Sequence, residues 1–355
     1  MSTTIQAAPT RDDVLPTPQE QAGLLMSHVA GHVAVRTVQI GLDSGLIEAL
    51  ADAGSSGLSA DELAIAADVD TFYARVWSRA AIGAGVVERD GDALRLTAHL
   101  STLLLDGEHP AHVGATFRVL GQPEIFDRFG ERLASGERTW WDETGNDFIA
   151  AVASTGLPFY VRLIPGGLSQ VPGLADLLRS EVRILDTACG SGEGLVRLAE
   201  AYPTATIVGA DGDAFSLERA RARLALAGLA DRIELVHTPL EELDRVGEFD
   251  LVVNNISMHE CRDIDRVTER VRRALAPGGW FVISDFPFPD DDEGLRTVPG
   301  RVMSGIQFFE AQLDDQLLPV AAYLDLLDRH GFADVATTAL TPTHALTYGR
   351  KPSTA

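Results

Sequence analysis

The sequence predicts an α/β protein: a doubly wound, mostly parallel seven-stranded sheet that follows an N-terminal α-helical region of winged-helix pattern. Three observations predict it. From Val182 onward, short apolar runs bounded by turn residues alternate with amphipathic stretches, and such alternation builds a parallel sheet covered on both faces. The last two apolar runs, ADVATTAL and HALTYGR, are joined by Thr341-Pro342-Thr343, a hairpin turn that adds an antiparallel strand. Ahead of Val182 helical signals dominate, interrupted by one short hairpin.

The chain has 355 residues, room for two domains at roughly 100–200 residues each. Residues 1–20 are polar, carry Pro9, Pro16 and Pro18, and read as a mobile tail. One helix is expected from Gln19 to about Ala53, with an apolar face of Val33, Val35, Val38, Ile40, Leu42, Leu46, Ile47 and Leu50. That face exceeds what one small domain buries, so a partner subunit is expected to cover part of it. Ser59 and Glu62 have capping-box spacing ahead of a second helix. Asp70 caps a third, which ends near Gly83 and Gly85. Residues 86–89 and 93–96 form the hairpin around Asp90-Gly91-Asp92, completing a winged-helix order over residues 21–105.

Residues 106–180 read as helices broken at Gly121, Gly136 and Gly166-Gly167. Trp140, Trp141, Phe159 and Tyr160 in this stretch are candidates to line a pocket for a flat ligand. Over 181–355, strands are expected at 182–186, 206–211, 232–237, 249–255 and 279–285, then the closing hairpin. Helices are expected at 194–202, 214–228, 263–275 and 320–330.

Composition narrows the function. Hydrophobic residues make up 45% and charged residues 23%, a globular balance that excludes a disordered chain. The formal net charge of −23 argues against binding to nucleic acid or anionic lipid, which needs a basic surface. The winged helix makes the same point: residues 58–105 hold four arginines against seven acids, too few cations for a DNA reader. Two cysteines, Cys189 and Cys261, make no disulfide framework, so a reducing cytoplasm is expected. No apolar run reaches the roughly 18 residues of a membrane span, and the N-terminus lacks the apolar core of a signal peptide. No metal is expected. The cysteines lack ligand spacing, His28 and His32 lie on an apolar helix, and Asp290-Asp291-Asp292-Glu293 reads as a solvated loop.

The strongest chemical signal is LDTACGSGEGL at 185–195. A buried strand ends at Asp186, and Gly190, Gly192 and Gly194 let the backbone approach a ligand at the N-terminus of the next helix. The third glycine comes one residue early for a dinucleotide G-x-G-x-x-G loop. An acid at Asp186 suits a ligand with a cationic amine rather than a pyrophosphate. Asp211 closes the next strand, 19 residues after Gly192, where it can accept both hydroxyls of a ribose.

With this loop, these two acids and ALAPGGWFVISD, residues 181–351 resemble the class I S-adenosylmethionine-dependent methyltransferases. With the front half included, the chain is similar to small-molecule O-methyltransferases of plant phenolic and bacterial polyketide pathways. The resemblance implies a Rossmann-like sheet, S-adenosylmethionine as cofactor and a homodimer formed through the front half. It places the methionine end of the cofactor at Asp186 and at Ala188, Cys189, Gly190 and Gly192, and the ribose at Asp211. Thr238 stands where the family often has an acid near the adenine, and Asn254, ending the fourth strand, is grouped with the cofactor residues. In NNISMHECRDIDRV, His259 matches the catalytic histidine, though the following Glu260 and Cys261 lack the family's usual aromatic. Asp285 matches the acid that orients it, and a second acid is expected at Asp314 or Asp315.

The expected reaction is methyl transfer to the hydroxyl of a small, aromatic molecule in natural-product biosynthesis, with His259 as general base. C-methylation ortho to a phenol would use the same base. Two further readings stay open at this point: a divergent relative with non-methylating chemistry, and a winged-helix regulator.

Overall fold

The computed structural model describes residues 15–139 and 145–353. The expected tail before residue 15 and the candidate pocket residues Trp140 and Trp141 lie outside these residues. The chain divides into two compact units, Met1–Ser101 and Thr102–Ala355.

In the first unit, α1 (Pro18–Asp43) starts two residues before the expected end of the tail. Thr17 and Glu20 cap it reciprocally. The single helix expected to Ala53 is two helices. Ser44 closes α1, and Gly45 at φ 73° starts α2 (Leu46–Ala53), because left-handed backbone cannot continue a right-handed helix. Ser59 and Glu62 cap α3 (Ala60–Ala66), and Asp70 accepts from the Tyr73 N–H to cap α4 (Thr71–Gly83). The hairpin β1 (Val87–Asp90) and β2 (Ala93–Leu96) is antiparallel. Most of the expected apolar face is consumed internally: Val38, Leu42, Leu46, Ile47 and Leu50 are buried, and the Trp77 indole N–H donates to the Thr37 carbonyl at 2.9 Å. Two members of the expected face, Val33 and Ile40, stay exposed and line up with Met26 and Val29 on one side of α1.

Helix α5 (Leu100–Leu105) carries the chain into the second unit. There α6 (Gly114–Leu120), α7 (Pro123–Arg132), α8 (Asn146–Arg162) and α9 (Leu174–Leu177) precede the sheet. The sheet then builds in alternation: β3 (Arg183–Thr187), α10 (Glu193–Ala201), β4 (Thr206–Asp211), α11 (Ala214–Leu226), β5 (Ile233–His237), β6 (Phe249–Asn255) and α12 (Ile264–Ala274). β7 (Leu275–Asp285) leads to α13 (Asp292–Arg296) and α14 (Val298–Glu310), two helices the sequence pattern leaves unassigned. α15 (Val320–Arg329) and the hairpin β8 (Ala333–Thr341) and β9 (His344–Arg350) close the chain.

The seven strands run in the order β5-β4-β3-β6-β7-β9-β8, parallel except for β9, which pairs antiparallel with both neighbours. Alternate residues feed opposite faces. Ile184, Leu251 and Val253 pack into one core, Leu185, Val252 and Phe281 into the other, as a doubly covered sheet requires. Strand order reverses between β3 and β6, and the carboxyl ends on either side of that point open a crevice where such sheets bind ligands.

Candidate active site

The crevice holds a cavity of about 620 Å³. Its walls come from the segments after β3, β4, β5, β6 and β7, and from α8 and α14. Ala188, Cys189, Gly190, Asp211, His259, Phe159 and Tyr160 all line it, so the structure brings together residues up to 100 positions apart.

The cofactor end is built on tight backbone. Ala188, Gly190 and Gly192 all have positive φ, which folds the loop back so that the helix α10 starts beneath the cavity. Gly194 allows close packing: a Cβ there would lie 2.2 Å from the Tyr160 ring and 2.7 Å from Asp186 Oδ2. Asp211 accepts the Gly190 N–H (2.7 Å) on one oxygen and the Asp213 N–H (2.8 Å) on the other. Each oxygen keeps a lone pair for a ribose hydroxyl. Burial raises the Asp211 pKa, with those two backbone bonds working against it.

Asp186 lies beneath the surface of the cavity rather than on it. The Tyr160 hydroxyl donates to its Oδ2 at 3.1 Å. Burial pushes the Asp186 carboxyl up to about 8, against the Tyr160 bond and with help from Asp211. A buried carboxyl in that state is stabilised as carboxylate by an arriving cationic amine. The loop, the ribose acid and this amine partner fit S-adenosylmethionine.

Of the other expected cofactor residues, Gly192, Thr238 and Asn254 also lie off the cavity wall. Thr238 is outside the cavity wall: its hydroxyl turns back to the Pro239 carbonyl, and its neighbours Pro239, Leu240 and Glu241 take the wall position. Asn254 is buried and donates to the Thr187 hydroxyl, because alternate strand residues face opposite sides. The next residue, Asn255, faces the cavity.

The opposite end is built around His259, in the turn that follows β6. Its Nδ1 lies 2.9 Å from both Asp285 oxygens. Asp285 is itself fixed, accepting from the Tyr323 hydroxyl (2.7 Å) and the Phe286 N–H (2.8 Å). The His259 Nε2 is buried, makes no hydrogen bond among the described residues, and sits 3.8 Å from Glu310 Oε1. Burial disfavours the imidazolium, but Asp285 and Glu310 together outweigh it and hold the pKa well above the ordinary histidine value. Burial also raises Glu260, where His259 opposes and Glu310 and Asp315 add, and it pushes Asp315 up to about 8.

His259, Glu260 and Glu310 each offer a ligand atom, all within 4.8 Å of one another, a grouping that could hold a metal ion and that ligand spacing in the sequence does not single out. The acid facing Nε2 is Glu310, at the end of α14, and the sequence pattern does not single it out. The signal that could find its helix is Thr297 as N-cap with a proline directly inside the first turn. Asp314 is exposed and pairs with Arg138, whereas Asp315 lines the cavity.

Comparison with known proteins agrees with this geometry. A family model described as "Methyltransferase domain" matches residues 184–279. An uncharacterized methyltransferase of Synechocystis sp. is 33% identical over 159 residues, covering 43% of this chain and 68% of that protein. A trans-aconitate 2-methyltransferase of Deinococcus radiodurans is 28% identical over 164 residues; the match spans 44% of this chain and 60% of that protein's length. In overall fold the chain is similar to a putative O-methyltransferase of Nostoc punctiforme, with a TM-score of 0.72 at 19% identity over 95% of this chain and all of that one. The chain belongs to the S-adenosylmethionine-dependent methyltransferases.

Proposed function

We propose that this enzyme methylates a hydroxyl of a small aromatic molecule, with His259 as general base. The observation that carries the reading is His259 itself: Nδ1 is pinned by Asp285, while Nε2 has no hydrogen-bond partner among the described residues and lies at the cavity wall beside Glu310. Apolar and aromatic side chains make up much of the same wall, including Ile125, Ile149, Phe159 and Phe286, which suits a flat ring.

When bound, S-adenosylmethionine supplies an electrophilic methyl group on a sulfonium. Asp186 would act on its amine from beneath the loop, Ala188–Gly192 would hold its methionine end and Asp211 its ribose. The chain's own task is to position the hydroxyl and take its proton. A phenol with a pKa of about 10 is mostly protonated at neutral pH. Neutral Nε2 accepts that proton, Nδ1–H stays donated to Asp285, and the resulting imidazolium lies between Asp285 and Glu310. Asp285 fixes the tautomer as the acid of a catalytic triad does.

Incubation with methyl-labelled cofactor and a panel of phenols and catechols tests the reading. His259→Ala should lower turnover roughly 10²–10⁴-fold and leave cofactor affinity nearly intact. Wild-type turnover in the variant would remove the base assignment.

We also propose a homodimer formed through the first unit. The support is the exposed stripe Met26, Val29, Val33 and Ile40 on α1, a contiguous apolar line of the kind a second helix covers.

A further inference from the structure

Arg162, at the end of α8, is a cation that no acid pairs with among the described residues. Its side chain lines the cavity. The Nη1–H donates to the Pro110 carbonyl at 2.7 Å and the Nε–H to His344 Nδ1 at 2.9 Å. Among the described residues no carboxylate pairs with it, and Nη2 makes no hydrogen bond. Burial pulls its pKa down to about 10, which leaves it charged at neutral pH.

The partner His344 cannot supply the missing charge. Burial and Arg162 hold its pKa at about 3, so the ring is neutral. With Nδ1 accepting, its Nε2–H donates to the Ser284 hydroxyl (2.7 Å), which donates in turn to Asn255 Oδ1 (2.7 Å). The neutral groups around the guanidinium absorb hydrogen bonds and no charge. A partly buried cation in that state favours an incoming anion.

The helix geometry says which ligand brings it. Phe159 and Arg162 are three residues apart and share a face, with the guanidinium 4.6 Å from the ring centroid. Phe159 meets Phe286 edge-on at 5.0 Å, and Phe286 lies 6.0 Å from the His259 ring. Tyr160 points elsewhere, onto Asp186 at the cofactor end. The guanidinium therefore belongs to an aromatic wall that leads to His259.

We propose that Arg162 selects an anionic substrate, a hydroxylated aromatic carboxylate. Its carboxylate pairs with Nη2, its ring lies along Phe159 and Phe286, and its hydroxyl reaches His259. The proposal rests on the reading of His259 as base for a hydroxyl. The geometry fixes the orientation, because the hydroxyl must reach His259 Nε2, which already faces Glu310 Oε1 at 3.8 Å, and this leaves the carboxylate to Arg162.

Calorimetry on the enzyme loaded with S-adenosylhomocysteine tests it. The probes are 4-hydroxybenzoate, 4-hydroxycinnamate and 3-(4-hydroxyphenyl)propanoate, each against its primary amide. At least one acid should bind wild type about 10-fold or more tighter than its amide, as loss of a charge-assisted bond implies. The gap should vanish in Arg162→Gln and survive in part in Arg162→Lys, with S-adenosylhomocysteine affinity unchanged. Amides binding wild type as tightly as acids, no acid binding at all, or a gap that persists in Arg162→Gln would overturn the proposal. So would a weakened cofactor product in Arg162→Gln, which would assign the cation to the cofactor's own carboxylate. The wild-type comparison stands even where a variant fails to fold. Acids that bind with the expected gap yet accept no methyl would keep the anion site and remove the hydroxyl reading. Methylation of neutral phenols by an enzyme that ignores the acids would do the reverse.

Discussion

His259 is held between two carboxylates, and this sets the pH at which it can act. Only the neutral ring accepts a proton, and Asp285 with Glu310 raises the pKa well above the ordinary histidine range. The rate should therefore rise with pH above that range rather than near the ordinary value of about 6.5. Removing one carboxylate lowers the pKa, so Glu310→Gln should move the rise to lower pH. A pH profile of kcat in both proteins checks the sign, and an unmoved profile would mean that Glu310 does not act on the ring. At the cofactor end, Asp211→Ala should weaken binding roughly 10- to 100-fold by calorimetry. Both acids at the strand ends were legible, because an acid closing a buried apolar run has few structural reasons to be there. Asp285 was singled out by the family resemblance, which matches it to the acid that orients the histidine. Glu310 and Arg162 were not, since each reaches the cavity from a helix whose pattern is broken by glycine or proline, Gly300 and Gly305 in one, Pro158 in the other.

Among the elements, strands were easier to read than helices. The expected strands from 206 to 211 and 249 to 255 match β4 and β6 residue for residue, because central parallel strands are continuous apolar runs with sharp polar ends. The break between α1 and α2 was hidden, because apolar spacing carries on through Ser44-Gly45 and only the backbone changes hand. That break divides the apolar surface of this region between the unit's own core and the exposed stripe. Val29→Asp with Val33→Asp should leave a monomer by sedimentation, since an obligate interface is apolar and buries about 2,000 Å² or more. A dimer surviving both substitutions would place the interface elsewhere. Helix α10 gives a second test. Gly194→Ala drives a methyl against Tyr160 and Asp186, so it should cost about 1–3 kcal/mol of stability and weaken the cofactor in parallel. Unchanged melting and binding would mean that Tyr160 swings aside freely.

Across the whole molecule, the fold class was legible because the alternation of period and turn residues reports topology directly, while the cavity's charge layout required side chains from distant segments to meet. One feature joins the two ends of that cavity. Phe159 and Tyr160 are adjacent on α8, the first packed in the aromatic wall against Phe286, the second bonded to Asp186 under the cofactor loop. A helix that touches both ligands makes their bindings interdependent: whatever free energy one ligand contributes by ordering α8, the other no longer has to supply. Linkage then requires equal factors in both directions. S-adenosylhomocysteine should tighten a bound aromatic ligand several-fold, the aromatic ligand should tighten S-adenosylhomocysteine by the same factor, and Tyr160→Phe, which cuts the bond to Asp186 while keeping the ring, should bring both factors toward one.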